Sequence, residues 1–251
     1  MMLPLRLLHV GVQLLSGLLQ CAVLFPILPL RARNALVQRW SRGMLRVFRI
    51  QVVTSGPGQG GAAGAVVANH VSWIDVFVLN AIGACRFVAK SDVRGWPAIG
   101  WLSARAGTVY VARNARKGVL AANATIAAHL AAGERLAFFP EGTSAAQGHL
   151  LPFHANLFQG VIAAGAPVHP VALRYAGIDG QPSAAAEYIG DMSLWQSIVS
   201  LLAHGPFVAE VALLAPIAST GIDRRGLAAQ AHAAIAASLA NKGSNDTLAL
   251  A

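Results

Sequence analysis

The sequence predicts an α/β fold, a mostly parallel central sheet flanked by helices, preceded by an N-terminal helical membrane anchor. Three observations carry that reading. From residue 50 to residue 240, short β-prone runs alternate with helical ones, the pattern of a layered α/β domain. No charged residue stands between Leu7 and Leu30. The composition is apolar, 55% hydrophobic against 12% charged, with a mean hydropathy of +0.55. The 251 residues suit one domain with an anchor: anchoring helices over 1–49, a folded domain over 50–240 and a flexible tail over 241–251.

Charge is distributed unevenly along the chain. The net charge is +9, yet the first acid is Asp75, and only arginines (6, 31, 33, 39, 42, 46 and 49) carry charge before it. This much apolar surface excludes intrinsic disorder. Two cysteines exclude a disulfide framework or a four-cysteine zinc module. A nucleic-acid partner is not expected, because the basic residues adjoin a long apolar stretch instead of forming a stripe on a polar domain.

The elements follow in order. At 1.5 Å rise per residue, Leu7 to Phe25 makes a helix close to bilayer length. A signal peptide fits poorly, since the n-region has one arginine and no small-x-small site follows. Bulky Gln20 before Cys21 argues against a lipoprotein site. A transmembrane or half-inserted helix remains. Over Arg31 to Arg49, arginines 39, 42, 46 and 49 recur at helical spacing, and Leu36, Trp40, Met44 and Val47 fill a neighbouring face. That pattern favours a helix lying in the lipid headgroup layer, with a solvated helix packed on its own domain as the alternative. Positive charge after the apolar run places the rest of the chain on the cytoplasmic side of an inner membrane.

Strands are predicted at Ile50–Thr54, Ala65–Ala68, Phe87–Ala89, Thr108–Val111, Leu136–Phe139, Val168–Leu173 and Phe207–Leu214. Helices are predicted over the apolar run from Val76 to Ile82 and at Lys117–Ala132, Asn156–Ala164, Ser193–Leu202 and Arg224–Ala240. The segment from Gly56 to Gly61 matches G-x-G-x-x-G in form only. The dinucleotide fingerprint needs a helix after it, whereas a strand follows here and Pro57 lacks the amide donor. Trp96 and Trp101, in a Gly/Trp-rich segment, are read either as core or as an interfacial contact.

The candidate chemistry begins at Asn69-His70-Val71-Ser72-Trp73-Ile74-Asp75, just past a strand, where α/β sheets place functional residues. Five residues turn about 140° around a helix, so His70 and Asp75 cannot share a helical face. They meet if His70 sits in the strand-to-helix turn and Asp75 in the first helical turn. The carboxylate then accepts the imidazole Nδ1–H and leaves Nε2 to take a proton, as in the base-and-orienter half of a catalytic triad. A His and an Asp at this spacing also arise by chance around a helix cap. Three further blocks follow: Gly107 to Arg113, Phe139-Pro140-Glu141-Gly142-Thr143 and Val168-His169-Pro170-Val171.

In this order, the four blocks resemble those of the glycerolipid acyltransferase family, whose best-known members are the 1-acylglycerol-3-phosphate acyltransferases. The resemblance runs from about Val52 to Leu173, and more loosely to Leu239. It implies the glycerolphosphate acyltransferase-like fold, His70 as general base and Asp75 as its orienter. The acceptor hydroxyl would attack the thioester of acyl-carrier protein or acyl-CoA directly, with no acyl-enzyme, which agrees with the lack of a G-x-S-x-G elbow. Arg113, Glu141, Gly142 and Thr143 would bind the acceptor's polar head, with Asn69, Lys90 and Ser144 beside them. Arginine suits a phosphomonoester through paired charge-assisted bonds. Main-chain N–H groups around Gly142 would steady an anion, and Val168 to Val171 would line the donor or acyl channel.

One departure bears on the acceptor. Many members carry an arginine directly after the Phe-Pro-Glu-Gly-Thr block and a lysine a few residues on, where this chain has Ser144 and His154. Bacterial relatives with serine or threonine at the first place include acyltransferases that make ornithine lipids. The expected activity is therefore membrane-bound O-acyl transfer to a lysophospholipid, 1-acyl-sn-glycerol-3-phosphate in the first place and lyso-ornithine lipid in the second, with Lys90 and Arg116 as compensating cations. Membrane lipids and the acyl donor are the expected partners. No cofactor and no metal are expected, because no H-E-x-x-H or comparable ligand spacing occurs among the histidines and acids.

Overall fold

The computed structural model describes residues 3–112 and 116–248. Its centre is a sheet that has seven strands among the described residues: β1 (Ile50–Ser55), β2 (Gly64–Ala68), β3 (Arg86–Lys90), β4 (Val109–Val111), β5 (Arg135–Phe138), β6 (Val168–Gly177) and β7 (Phe207–Leu213). The spatial order is β1-β7-β6-β2-β5-β3-β4. Every neighbouring pair is parallel except β6 and β7, which run antiparallel from Val171↔Leu213 to Gly177↔Phe207.

Helices cover both faces: α3 (Asp75–Ile82) and α7 (Leu194–His204) on one, α5 (Arg116–Ala131), α6 (Phe158–Ala163) and α8 (Arg224–Leu248) on the other, with α4 (Ile99–Arg105) between β3 and β4. The alternation of side chains along each strand separates two cores. Val66 and Ala68 of β2 join Val171, Leu173 and Tyr175 of β6 on the α3 face. Ala65 and Val67 join Leu136, Phe138 and Val168 on the α5 face. A strand buried on both faces reads as a continuous apolar run, as Gly64–Ala68 does.

The elements before residue 50 are α1 (Leu3–Leu19), continued by one wider turn over Gln20–Leu24, and α2 (Leu30–Val47). The two are antiparallel, because Gln13 meets Gly43 and Gly17 meets Trp40. A Cβ on Gly17 would come within 2.7 Å of the Trp40 ring, so glycine sets the closeness of this hairpin. The Trp40 indole N–H donates to the Gln13 carbonyl at 2.7 Å.

The apolar face of the arginine-rich helix packs on its own domain. Met44, Leu45 and Phe48 belong to the same core as β2 and β6, and Trp40 packs against it. Arg31, Arg39, Arg42 and Arg46 line the exposed side of α2. On α1, Leu5, Leu8, Val12, Leu15 and Leu19 form one exposed apolar stripe that Val23 and Ile27 extend. The helix over Leu3–Leu24 is long and apolar enough to cross a membrane.

The second helix also holds the end of α3. Gln38 Nε2 donates to the carbonyls of Ala81 and Ile82 at 3.2 and 3.0 Å, and Arg42 Nε to Ala81 at 2.9 Å. Orphan carbonyls at a helix C-terminus favour such donors, and cations most of all. Replacing Gln38 and Arg42 together by alanine is expected to cost about 1–2 kcal/mol, read as a lowered melting temperature in detergent.

Most predicted elements match to within a residue or two at their ends. Four depart further. α1 begins at Leu3, four residues before its predicted start at Leu7. α4 was not anticipated; its Trp101 is partly exposed under the Arg105 guanidinium. β6 runs four residues past its predicted end at Leu173, because the antiparallel ladder with β7 carries it on. α8 extends to Leu248, into the segment expected as a tail, and residues 249–251 lie outside the described ones.

Candidate active site

β2 ends at Ala68 and α3 begins at Asp75. The turn between them brings His70 and Asp75 together as the spacing predicts. Imidazole Nδ1 lies 2.8 Å from Asp75 Oδ2. The same oxygen accepts the backbone N–H groups of Val71 and Ser72 at 2.8 and 2.9 Å. The other oxygen, Oδ1, accepts the Tyr175 hydroxyl at 2.6 Å. The carboxylate is wholly buried, at 0% exposure, and a buried acid needs such partners.

Because an ionised carboxylate only accepts, the imidazole proton resides on Nδ1, and Nε2 keeps its lone pair. The His70 side chain is 21% exposed, enough to meet a substrate. Its ring stacks on Phe139, with centroids 4.0 Å apart and planes 10° from parallel. Ring orientation is thus fixed from one face by Phe139 and from one edge by Asp75.

The predicted binding residues divide by what they touch. Glu141 was expected to meet the acceptor, but it is 4% exposed and both its oxygens are committed. Oε1 accepts the His70 backbone N–H at 2.7 Å and Oε2 that of Leu151 at 2.8 Å. Burial raises its pKa above the ordinary carboxylate value, while the two N–H bonds act in the opposite direction. Glu141 therefore ties the turn bearing His70 to the loop after β5, and touches no open space. Glu141→Gln puts an amide N–H where one of these donors needs an acceptor. It is expected to destabilise the fold by about 1–3 kcal/mol, measured by thermal unfolding.

Asn69, expected beside the acceptor, is also buried. Its amide pairs with the backbone of Leu173, accepting the N–H at 2.7 Å and donating to the carbonyl at 3.0 Å. It extends the β2–β6 junction and has no free polar atom for a ligand. The Ser144 hydroxyl donates to the Tyr188 carbonyl, so it fastens two loops. Of the N–H groups around Gly142 that were expected to steady an anion, that of Gly142 itself donates to the Phe139 carbonyl at 3.1 Å. Glycine is required there for the turn, at φ +71°.

Gly142 and Thr143 are exposed, as are Lys90 at the end of β3 and His154, whose backbone N–H bonds to Pro140. The His154 ring stands next to Gly142. Arg113 lies outside the described residues, and so does the side chain of Arg116. Val168, Pro170 and Val171 are buried within the sheet, and the His169 ring reaches back to Ala63 at the opposite end of β2. That segment therefore does not line a channel at His70. Among the described residues, no cluster of three or more histidines, cysteines and acids is placed to hold a metal.

A cavity of about 370 Å³ lies among Arg86, Thr108, Tyr110, Thr125 and His129. It opens where β3 and β4 begin, at the far end of the strands from His70. Arg86 and His129 are committed there to Glu134.

Tyr175 is the site residue that sequence reasoning missed. Its signal was the parity of Val171, Leu173 and Tyr175, which places all three on the α3 face.

A family model described as Acyltransferase matches residues 49–174. The lyso-ornithine lipid O-acyltransferase of Pseudomonas aeruginosa is 41% identical over 169 residues, 67% of this chain and 65% of that protein. The 1-acyl-sn-glycerol-3-phosphate acyltransferase of Neisseria meningitidis serogroup B is 38% identical over 158 residues, 62% of each. The chain thus spans less than two thirds of the length of these two relatives. The lyso-ornithine lipid O-acyltransferase of Brucella abortus is 32% identical over 221 residues, 81% of this chain and 83% of that protein. The crystal structure of the 1-acyl-sn-glycerophosphate acyltransferase of Thermotoga maritima shares the fold, with a TM-score of 0.64 at 17% identity over 94% of this chain and 97% of that one. The matched segment spans half the chain and holds His70, Asp75 and the Glu141 loop, and the chain belongs to the Acyltransferase family.

Proposed function

We propose that the protein is a membrane-bound O-acyltransferase that moves a fatty acyl group from a thioester, acyl-carrier protein or acyl-CoA, to the free hydroxyl of a lysolipid. The observation that carries this is His70, with Nδ1 held by buried Asp75 and Nε2 without a partner among the described residues, at a partly exposed face. Nε2 takes the proton of the acceptor hydroxyl as its oxygen bonds to the thioester carbonyl carbon. The tetrahedral intermediate collapses by breaking the C–S bond, and the departing thiolate takes the proton back from Nε2. The ester and the free thiol are the products.

Membrane attachment is proposed through the exposed apolar stripe of α1, with the domain on the cytoplasmic side of an inner membrane. Exposed arginines of α2 favour anionic lipid at about 1 kcal/mol each near the surface. Changing Leu8, Val12, Leu15 and Leu19 together to serine is expected to shift most of the protein from membrane to soluble fractions. Unchanged flotation with liposomes would overturn the attachment.

Two acceptors fit the frame. 1-Acyl-sn-glycerol-3-phosphate, giving phosphatidic acid, is the first. Lyso-ornithine lipid is favoured by a specific observation: the Ser144 hydroxyl is spent on Tyr188 where many members of the family carry an arginine, so this place supplies no cation to a phosphomonoester. An assay with one acyl thioester and both acceptors separates them. Ten-fold or greater preference in kcat/KM identifies the acceptor, and transfer to neither, with release of free fatty acid, would sink the acyltransferase assignment.

A further inference from the structure

We propose that Tyr175 is a positioning residue for the proposed transfer reaction, holding Asp75 in the single orientation from which it aligns His70. The inference rests on the acyltransferase reading above and adds a third group to its base. Four donors converge on Asp75: His70 Nδ1, the backbone N–H groups of Val71 and Ser72, and the Tyr175 hydroxyl. The first three share Oδ2. Among the described residues only Tyr175 engages Oδ1, so it pins the second oxygen, and without its hydroxyl the carboxylate's orientation would rest on the Oδ2 contacts alone. A rotation that moved Oδ2 off His70 would leave the tyrosine hydroxyl buried without an acceptor.

The hydroxyl is built to stay a donor. Tyr175 is 0% exposed, and burial, then the adjacent Asp75 charge, hold its pKa well above the ordinary phenol value. It does not reach the reacting atoms, because Asp75 stands between it and His70. The ring's position is secured in turn by its own backbone, since the Tyr175 N–H donates to Gln147 Oε1 and its carbonyl accepts the Ser183 N–H at 3.0 Å.

The test is steady-state kinetics on the full-length protein in detergent micelles with an acyl thioester and the preferred lysolipid. Tyr175→Phe keeps the ring and removes the hydroxyl. Its kcat is expected to fall about ten-fold, with both KM values within two-fold of wild type. In a His70→Ala background the same change is expected to leave the residual kcat unaltered, because Tyr175 acts only through the alignment of His70. Wild-type kcat in Tyr175→Phe, or an independent ten-fold loss on top of His70→Ala, would overturn the proposal.

Should Tyr175→Phe fail to fold, fluorotyrosine incorporated into a Tyr110→Phe, Tyr188→Phe protein leaves only position 175 labelled. The more acidic phenol is then expected to change kcat against the same protein with ordinary tyrosine, and an unchanged kcat counts against the role. Failure of the acyltransferase reading looks different. In that case His70→Ala would transfer acyl groups as well as wild type, whatever Tyr175 does.

Discussion

His70→Ala is expected to lower kcat/KM for acyl transfer by about 10²–10⁴-fold while the protein stays folded and membrane-bound. The loss is large because Nε2 of His70 is the one basic atom at the site whose orientation is fixed from two sides, by Asp75 and by the Phe139 ring. Folding survives because alanine leaves the Asp75 carboxylate with three of its four donors, Val71 N–H, Ser72 N–H and the Tyr175 hydroxyl. The His70 backbone also keeps its bonds to Glu141 and Ala145. A thousand-fold loss corresponds to about 4 kcal/mol of transition-state stabilisation. Turnover within three-fold of wild type, in protein with a wild-type melting curve, would remove His70 from the chemistry.

The α/β class and the His70–Asp75 pair were legible in the sequence because both are local. The strand–helix alternation needs only short windows, and His70 and Asp75 need only a five-residue turn. What escaped is non-local. Tyr175 meets Asp75 across 100 residues, on a strand whose last residues are ordered by pairing with β7 and not by their own propensity. The roles of Asn69 and Glu141 escaped for the same reason. Polar residues in a motif read as ligand-binding, yet their side chains are satisfied by Leu173, Leu151 and the turn itself. The amphipathic pattern over residues 31–49 favoured a lipid surface, because a sequence window does not show that a protein core lies beside Trp40, Met44 and Phe48.

That packing ties the proposed membrane attachment to the proposed base. α2 caps the last turn of α3 through Gln38 and Arg42, and α3 begins at Asp75. The apolar stripe of α1 and the orienting acid of the base are therefore joined by two rigid contacts, the α1–α2 hairpin and the α2–α3 interface. An amphiphilic acceptor with its tail in the lipid would present its hydroxyl at a nearly fixed depth. A base held rigidly to the anchor meets it there without a search, which is the entropic advantage of positioning.

Asp75 separates charge from structure most sharply. Asp75→Ala leaves three buried or nearly buried donors, Val71 N–H, Ser72 N–H and Tyr175 O–H, without an acceptor. At about 1–3 kcal/mol for each, the sum reaches much of a domain's total stability of about 5–15 kcal/mol, so the alanine variant is expected to express poorly or unfold. Asp75→Asn behaves differently. The two backbone N–H groups require an oxygen at the Oδ2 position, so the amide nitrogen must take the Oδ1 position. There it donates to the Tyr175 oxygen, which accepts as readily as it donates. The fold and the His70 tautomer are both kept, and only the negative charge that stabilises the imidazolium is lost. Asp75→Asn is therefore expected to melt within a few degrees of wild type and to lose about 100-fold or more in kcat with KM little changed, as measured by steady-state assay and thermal unfolding on the same preparation. A fully active asparagine variant would show that the carboxylate serves only to shape the turn. A variant as unstable as the alanine would show that the amide cannot adopt the orientation those two N–H groups demand.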